Sequence, residues 1–353
     1  MSKQLSTTFT TTLSLIEQFQ KALTTPPTES ADAKDANNIE PLPLLGASAT
    51  ALRAHVTKLS LLSITSPFTH SAIGTVLREL NESVLPSLVT AALLLTPAQY
   101  TKAFQSEVLG LVKGVLTELL SLVREVQRVD AKKEDEKSAK SDLSKAEKDV
   151  VTRATGRVWD ACDVVTDVSS KGVVGFVMRR VEQWRDLVRD AVEEIEEWDP
   201  EDDDDEFMDE LLGDEKEEES DDEEENAALL EHKKVTLRFL KPVAQVYPAV
   251  INNRLKNVGE APLASEGGIK KLEALMVNLQ AIPDHVDEAA GGLYEADFER
   301  SAGYLQKTRK CAAAAVDLVM APWGAADAPA DKFATWAKTW LKVVEEVSKT
   351  IGE

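Results

Sequence analysis

A regular seam of apolar residues between positions 108 and 126 constrains the fold of this chain more than any other feature of its sequence. Successive seam residues are four, three, four, three and four positions apart: Val108, Val112, Val115, Leu119, Leu122 and Val126. A repeat of 3.5 residues places the whole seam on one side of an α-helix that packs lengthwise against other helices. A helix from Pro97 to Asp130 is about 50 Å long at 1.5 Å per residue. The seam therefore predicts a helical bundle.

The same spacing recurs between positions 177 and 198, which predicts a second long helix from about Gly172 to Trp198. Asp199-Pro200 ends this helix, because a residue before proline avoids the α region. Further helical patterns occupy residues 3–24, 47–63 and 69–95, as well as the chain after Ala227. A polar connecting segment follows the first of these patterns and extends to Pro43. We expect an all-α chain with about five helices in each of two bundles.

The acidity of the chain is confined to one segment. The net charge is −22, yet residues 199–226 alone contain 19 acidic residues and one basic residue, Lys216. Such a segment repels itself and lacks the apolar residues needed to fold, so we expect a disordered loop. The predicted organisation is an N-terminal helix and flexible linker (1–44), a helical bundle (45–199), the acidic loop (200–226) and a second bundle (227–353).

Two interpretations of the acidic loop remain open at this point. The loop is either a solubilising spacer or a docking segment for a basic partner. A short apolar cluster favours docking, since a spacer needs none; we define it as the predicted hook, Phe207, Met208, Leu211 and Leu212. Ser220 is followed directly by acidic residues and resembles a casein-kinase-II acceptor. Phosphorylation there would add further negative charge.

The charge distribution and the apolar runs exclude several classes of function. Direct nucleic-acid binding needs concentrated Lys and Arg, and the acidic tract would instead repel DNA and RNA. The apolar run 173–178 is too short for a membrane span and precedes Arg179 and Arg180. Two cysteines, Cys162 and Cys311, do not make a disulfide framework. The expectation is an intracellular protein that contacts neither nucleic acid nor membrane.

A search for catalytic patterns gives no candidate site. The four histidines are scattered, without a second ligand at metal-binding spacing: His55, His70, His232 and His285. Cys162 and Cys311 fall on apolar helix faces, as small core residues do. The segment 172–175 lacks the third glycine, the strand and the lysine of a phosphate-binding loop. We predict no catalytic residue, no metal and no cofactor, and hence not an enzyme.

Two segments and the order of the elements resemble the cyclin-D-interacting (cyclin-D-binding) protein family. They are residues 158–162, Val-Trp-Asp-Ala-Cys, and residues 186–200, the helix end that leads into the acidic loop. The resemblance extends from about residue 48 onwards. It implies two bundles similar to vinculin-like helical bundles and a non-catalytic regulator of cell-cycle progression. It also implies D-type cyclins or helix-loop-helix-type factors as partners, in both nucleus and cytoplasm.

Two other functions suit the same features. A cytoskeletal or adhesion-type adaptor would also be built from helical bundles. An acidic chaperone for histones or other basic proteins would use the acidic loop. The family resemblance favours the cell-cycle regulator over both alternatives.

Overall fold

The computed structural model of this chain describes residues 3–24, 40–135, 143–200, 219–259, 265–323 and 331–351. Within these ranges the regular secondary structure is helical throughout and contains no strand, which confirms the all-α prediction. The chain divides into two compact units, residues 1–176 and residues 177–353. None of the described helices is long and apolar enough to cross a membrane.

The first unit is built from α1 to α6 and the N-terminal part of α7. The helices are α1 (Lys3–Thr24), α2 (Pro41–Ile64), α3 (His70–Glu79), α4 (Leu85–Leu93), α5 (Pro97–Tyr100), α6 (Lys102–Asp135) and α7 (Lys145–Glu197). A π-helical turn, Leu80–Val84, joins α3 to α4.

The apolar seam that predicted the bundle lies in its core. Every seam residue of α6 is at most 1% exposed. The predicted helix start at Pro97 is correct for α5, but the helix does not continue unbroken, because Thr101 has φ 67°. The Thr101 hydroxyl accepts a hydrogen bond from the Phe104 amide at 3.2 Å and thereby caps a second helix, α6.

The N-terminal helix α1 belongs to the first unit, although the sequence grouped it with a flexible linker. Phe9 and Ile16 are fully buried, and α1 packs against α3 and α6. At its C-terminal end, the Gln20 amide donates to the Thr117 hydroxyl at 2.8 Å and Lys113 donates to the Thr24 hydroxyl at 3.1 Å. The apolar stripe of α1 thus completes the core around α6.

The long helix α7 is interrupted at Gly172, which has φ 62° and ψ −165°. This interruption agrees with the predicted start of a separate helix near Gly172. The two units divide just after it, between Phe176 and Val177, whereas the sequence placed the division at residues 200–226. The physical reason lies in the end of α7. The Lys233 ammonium of the second unit donates to the Trp198 carbonyl oxygen, and the Trp198 ring packs edge-on against Tyr294 at 4.8 Å between centroids.

In its described residues, the second unit contains the rest of α7 and five further α-helices. These are α8 (Glu219–Ala244), α9 (Val246–Asn253), α10 (Glu266–Tyr294), α11 (Phe298–Leu318) and α12 (Lys332–Ser348). Helix α8 begins eight residues before Ala227, the start expected from the apolar pattern. Its first turns are acidic, and negative charge near a helix N-terminus is favoured by the helix dipole.

Candidate interaction surface

Trp159 of α7 contacts α2 in the first unit. Its indole Nε1 donates a hydrogen bond to the Thr57 hydroxyl at 3.0 Å. The Arg53 guanidinium lies 5.0 Å from the centre of the Trp159 ring, and Arg53 Nε is 3.0 Å from Asp163 Oδ1. Trp159 sits beside the buried residue Val158, and its ring is only half-buried. An aromatic ring with a satisfied N–H and a partly open face is well suited to contact another protein.

Large apolar side chains are exposed on both α2 and α7. Leu61 lies one helical turn beyond Thr57 and is 56% exposed. On α7, Val150 and Val164 lie seven residues to either side of Arg157 and are 38% and 42% exposed. Arg157 itself pairs with Glu118 of α6 at 2.6 Å. We define the α2–α7 surface by Arg53, Leu61 and Trp159.

Neither the exposure of Leu61 nor the pairing of Trp159 with Thr57 followed from the sequence. Trp159 lies on an apolar stripe with Cys162, and such a stripe by itself favours a core position. Leu61 is part of an apolar run, Leu59 to Ile64, that does not by itself distinguish the inner from the outer face. The buried positions of α2 repeat every three to four residues, and Leu61 falls outside that repeat.

A recess beside α2 is too small for a typical small-molecule site. It spans about 180 Å³, part of which is open solvent, and is lined by the α2 end, the following loop, Lys133 and Leu143. Small-molecule sites generally occupy about 300–1,000 Å³. This recess therefore does not enclose a typical small-molecule ligand.

The histidines are each engaged by nearby side chains or backbone. His70 Nδ1 lies 2.8 Å from Oδ1 of the fully buried Asp130, and His232 stacks on Phe298 at 3.8 Å between ring centroids. His55 Nδ1 is 2.8 Å from the Ala51 carbonyl oxygen. In the part of the chain that the structure describes, no group of three or more His, Cys, Asp or Glu is arranged to hold a metal ion.

The two cysteines lie in environments that disfavour thiolates. Cys162 is fully buried, as the sequence predicted, and burial raises the pKa of its thiol to about 12. Cys311 is half-buried, and burial also raises its thiol pKa. A raised pKa keeps a thiol protonated and weakly nucleophilic at neutral pH.

The structure describes only part of the site that was predicted in the acidic loop. The hook residues Phe207, Met208, Leu211 and Leu212 lie outside the described residues. Ser220 is the second residue of α8, and only its backbone is described. The structure therefore leaves both the docking prediction and the phosphorylation prediction as predictions.

The fold and this surface define an all-α protein built from helical bundles that expose apolar helix faces. Residues 44–201 match the family model described as Grap2 and cyclin-D-interacting, N-terminal. This match confirms the resemblance noted in the sequence, and it runs from α2 to just beyond the end of α7. An uncharacterized protein of Schizosaccharomyces pombe is 23% identical over 162 residues, which cover 45% of this chain. The chain spans less than half of that relative, 44% of its length.

Proposed function

We propose that this chain is a non-catalytic regulator that binds other proteins, with a D-type cyclin or a helix-loop-helix-type factor as its partner. One observation carries the proposal: residues 44–201 match a family whose description names cyclin-D-interacting proteins. A regulator of this kind acts where its partners are, in nucleus and cytoplasm. Its effect would be to limit cell-cycle progression by occupying the partner.

The geometry of the family-matched segment supports a binding role. The α2–α7 surface combines a half-buried Trp159, an exposed Leu61 and an Arg53 guanidinium stacked on the indole. Trp and Arg are the residues most enriched at the energetic centres of protein interfaces. We therefore place the partner contact of the first unit on the α2–α7 surface.

Affinity purification from cells followed by mass spectrometry tests this function. The baits are the wild-type chain, Leu61→Glu, and a deletion of residues 201–218 that leaves α8 intact. Thr75→Glu, an exposed position on α3, is the matched control for the added charge. We expect a D-type cyclin or a helix-loop-helix-type factor with the wild type and the control, and a clear reduction with Leu61→Glu. Absence of both partner classes from every sample contradicts the proposal.

The deletion bait separates the two roles left open for the acidic loop. A spacer can be shortened without loss of partners, whereas a docking segment that contains Phe207, Met208, Leu211 and Leu212 cannot. Salt-sensitive histone binding that disappears with the deletion would instead support the acidic chaperone. Phosphopeptide analysis of the same samples tests Ser220, because Ser220→Ala then removes a phosphate signal that the wild type carries.

A further inference from the structure

Two neighbouring helices of the second unit, α7 and α10, run in the same direction. The Trp198 ring packs against Tyr294 at 4.8 Å between centroids. One turn earlier on α7, Glu194 lies close enough to Asp287 of α10 to influence its ionisation. On both helices the carboxylate precedes the aromatic residue, so α7 and α10 run in the same direction where their ends meet.

A pair of exposed apolar side chains lies on these helices. Leu187 precedes Glu194 by seven residues, which places both on the same edge of α7. Val277 likewise precedes Asp284 by seven residues on α10. Leu187 is 55% exposed and Val277 is 63% exposed, more than Val343, the other large apolar side chain exposed on the described part of this unit.

Carboxylates gather at one end of this apolar pair. Burial raises the pKa of Asp287, and the negative charges of Asp284, Glu194 and Glu288 raise it further. The Arg300 guanidinium neutralises Glu288 at 2.8 Å. Among the described residues no basic side chain forms an ion pair with Asp284, Asp287 or Glu194. The excess negative charge therefore belongs to these three carboxylates.

The opposite end of the same face is basic. Arg180 precedes Leu187 by seven residues, and Lys270 precedes Val277 by seven residues. The face therefore changes from basic through apolar to acidic along the helix direction. We define the α7–α10 face by Leu187, Val277, Glu194, Asp284 and Asp287.

We propose that the α7–α10 face binds an amphipathic helix of a protein partner, whose apolar stripe covers Leu187 and Val277 and whose Lys and Arg residues meet the three carboxylates. Exposed apolar residues on neighbouring helices offer a surface for the apolar stripe of a third helix. Charge complementarity selects a basic partner, and the acidic residues 199–226 that follow α7 attract the same charge. This binding does not depend on what the α2–α7 surface contacts.

Fluorescence anisotropy of the full chain with two labelled synthetic peptides tests the proposal. One peptide is a Leu/Lys helix of about 18 residues with leucines on a single stripe, long enough to be helical when bound. The other has the same composition with the leucines distributed around the helix. The negative charge of the acidic tract attracts both peptides alike, because they carry the same charge. An intact α7–α10 face prefers the striped peptide by about tenfold or more, equivalent to about 1.4 kcal/mol.

Substitutions test whether the α7–α10 face is the cause of the preference for the striped peptide. Leu187→Ser with Val277→Ser removes the preference, while Val343→Ser, a matched exposed valine on α12, retains it. Asp284→Asn with Asp287→Asn weakens binding of the striped peptide and flattens its dependence on salt. Equal binding of the two peptides by the wild type overturns the proposal. So does a preference that survives the Leu187→Ser/Val277→Ser double substitution in protein with wild-type circular dichroism.

Discussion

Arg254 holds Asp331 through two parallel hydrogen bonds, Nη1 to Oδ2 at 2.7 Å and Nη2 to Oδ1 at 3.0 Å. The same guanidinium donates to the carbonyl oxygens of Val319 at 2.6 Å and Met320 at 2.9 Å. It also lies 4.2 Å from the centre of the Phe333 ring, and Arg254 is only 3% exposed. This arrangement joins the end of α9, the end of α11 and the beginning of α12.

Removal of the Arg254 guanidinium should therefore destabilise the second unit. Arg254→Met leaves the Val319 and Met320 carbonyl oxygens and the Asp331 carboxylate without their donor, and a buried polar group left without its partner costs about 1–3 kcal/mol. Chemical unfolding followed by circular dichroism measures the loss. Arg309→Met is the matched control, since Arg309 pairs with the exposed Glu345 and its removal should cost at most about 1 kcal/mol. Equal effects of the two substitutions would show that the Arg254 contacts stabilise the second unit no more than an exposed ion pair does.

The Asp331 carboxylate should make stability depend on pH in the acid range. Hydrogen bonds from Arg254 hold the pKa of Asp331 at about 2, below its ordinary value of 3.8. A depressed folded-state pKa contributes stability above the unfolded-state value, and this contribution is lost as the pH falls through about 2. Asp331→Asn keeps an oxygen to cap α12, where Asp331 accepts from the Ala334 amide at 2.8 Å. The difference in unfolding free energy between wild type and Asp331→Asn should shrink from pH 5 towards about pH 2; a constant difference contradicts the assignment.

Phe9 tests whether α1 is part of the first unit. The side chain is fully buried, so Phe9→Ala should cost about 3–5 kcal/mol through lost burial and the resulting cavity. Thr10→Ala, the adjacent exposed position, should change stability by no more than about 0.5 kcal/mol. Urea unfolding of both variants provides the comparison. Wild-type stability of Phe9→Ala would mean that α1 is the separate helix that the sequence suggested.

Gly172 tests the interruption of α7. Its backbone, at φ 62° and ψ −165°, lies in a region that is essentially restricted to glycine, so Gly172→Ala should cost about 1–3 kcal/mol. The nearest atom to an added Cβ is Leu42 Cδ1 at 3.7 Å, an ordinary contact, so the cost is conformational. Gly156→Ala is the control inside the regular part of α7, where a Cβ meets nothing within 4 Å and should stabilise by about 0.5–1 kcal/mol. Stabilisation by both substitutions would contradict a break at Gly172.

Periodic apolar spacing predicted helices correctly where the prediction does not depend on which element packs against them. The 4–3 repeats of α6 and of the second half of α7 face inwards in any bundle, so the prediction of helices there did not require knowledge of their neighbours. Asp199-Pro200 also marked the end of α7 closely, because the preceding residue is restricted whatever surrounds it.

Features that depend on contacts between distant residues could not be predicted in this way. The place of α1 in the core depends on α3 and α6, and the assignment of Val177–Glu197 to the second unit depends on partners such as Lys233 and Tyr294. The α2–α7 and α7–α10 surfaces were missed because Leu61, Leu187 and Val277 are apolar residues that only the folded structure leaves exposed. The predicted hook and Ser220 came from local composition and still await experiment.

Calorimetric titration of the purified chain with a purified D-type cyclin tests the central claim most directly. The proposed function predicts saturable binding by the wild-type chain, weaker binding by Leu61→Glu and unchanged binding by Thr75→Glu. Circular dichroism of all three proteins confirms that they fold alike. Absence of binding by the wild type at cyclin concentrations up to about 50 µM, a range that detects complexes with binding free energies of about −6 kcal/mol or stronger, would contradict the claim.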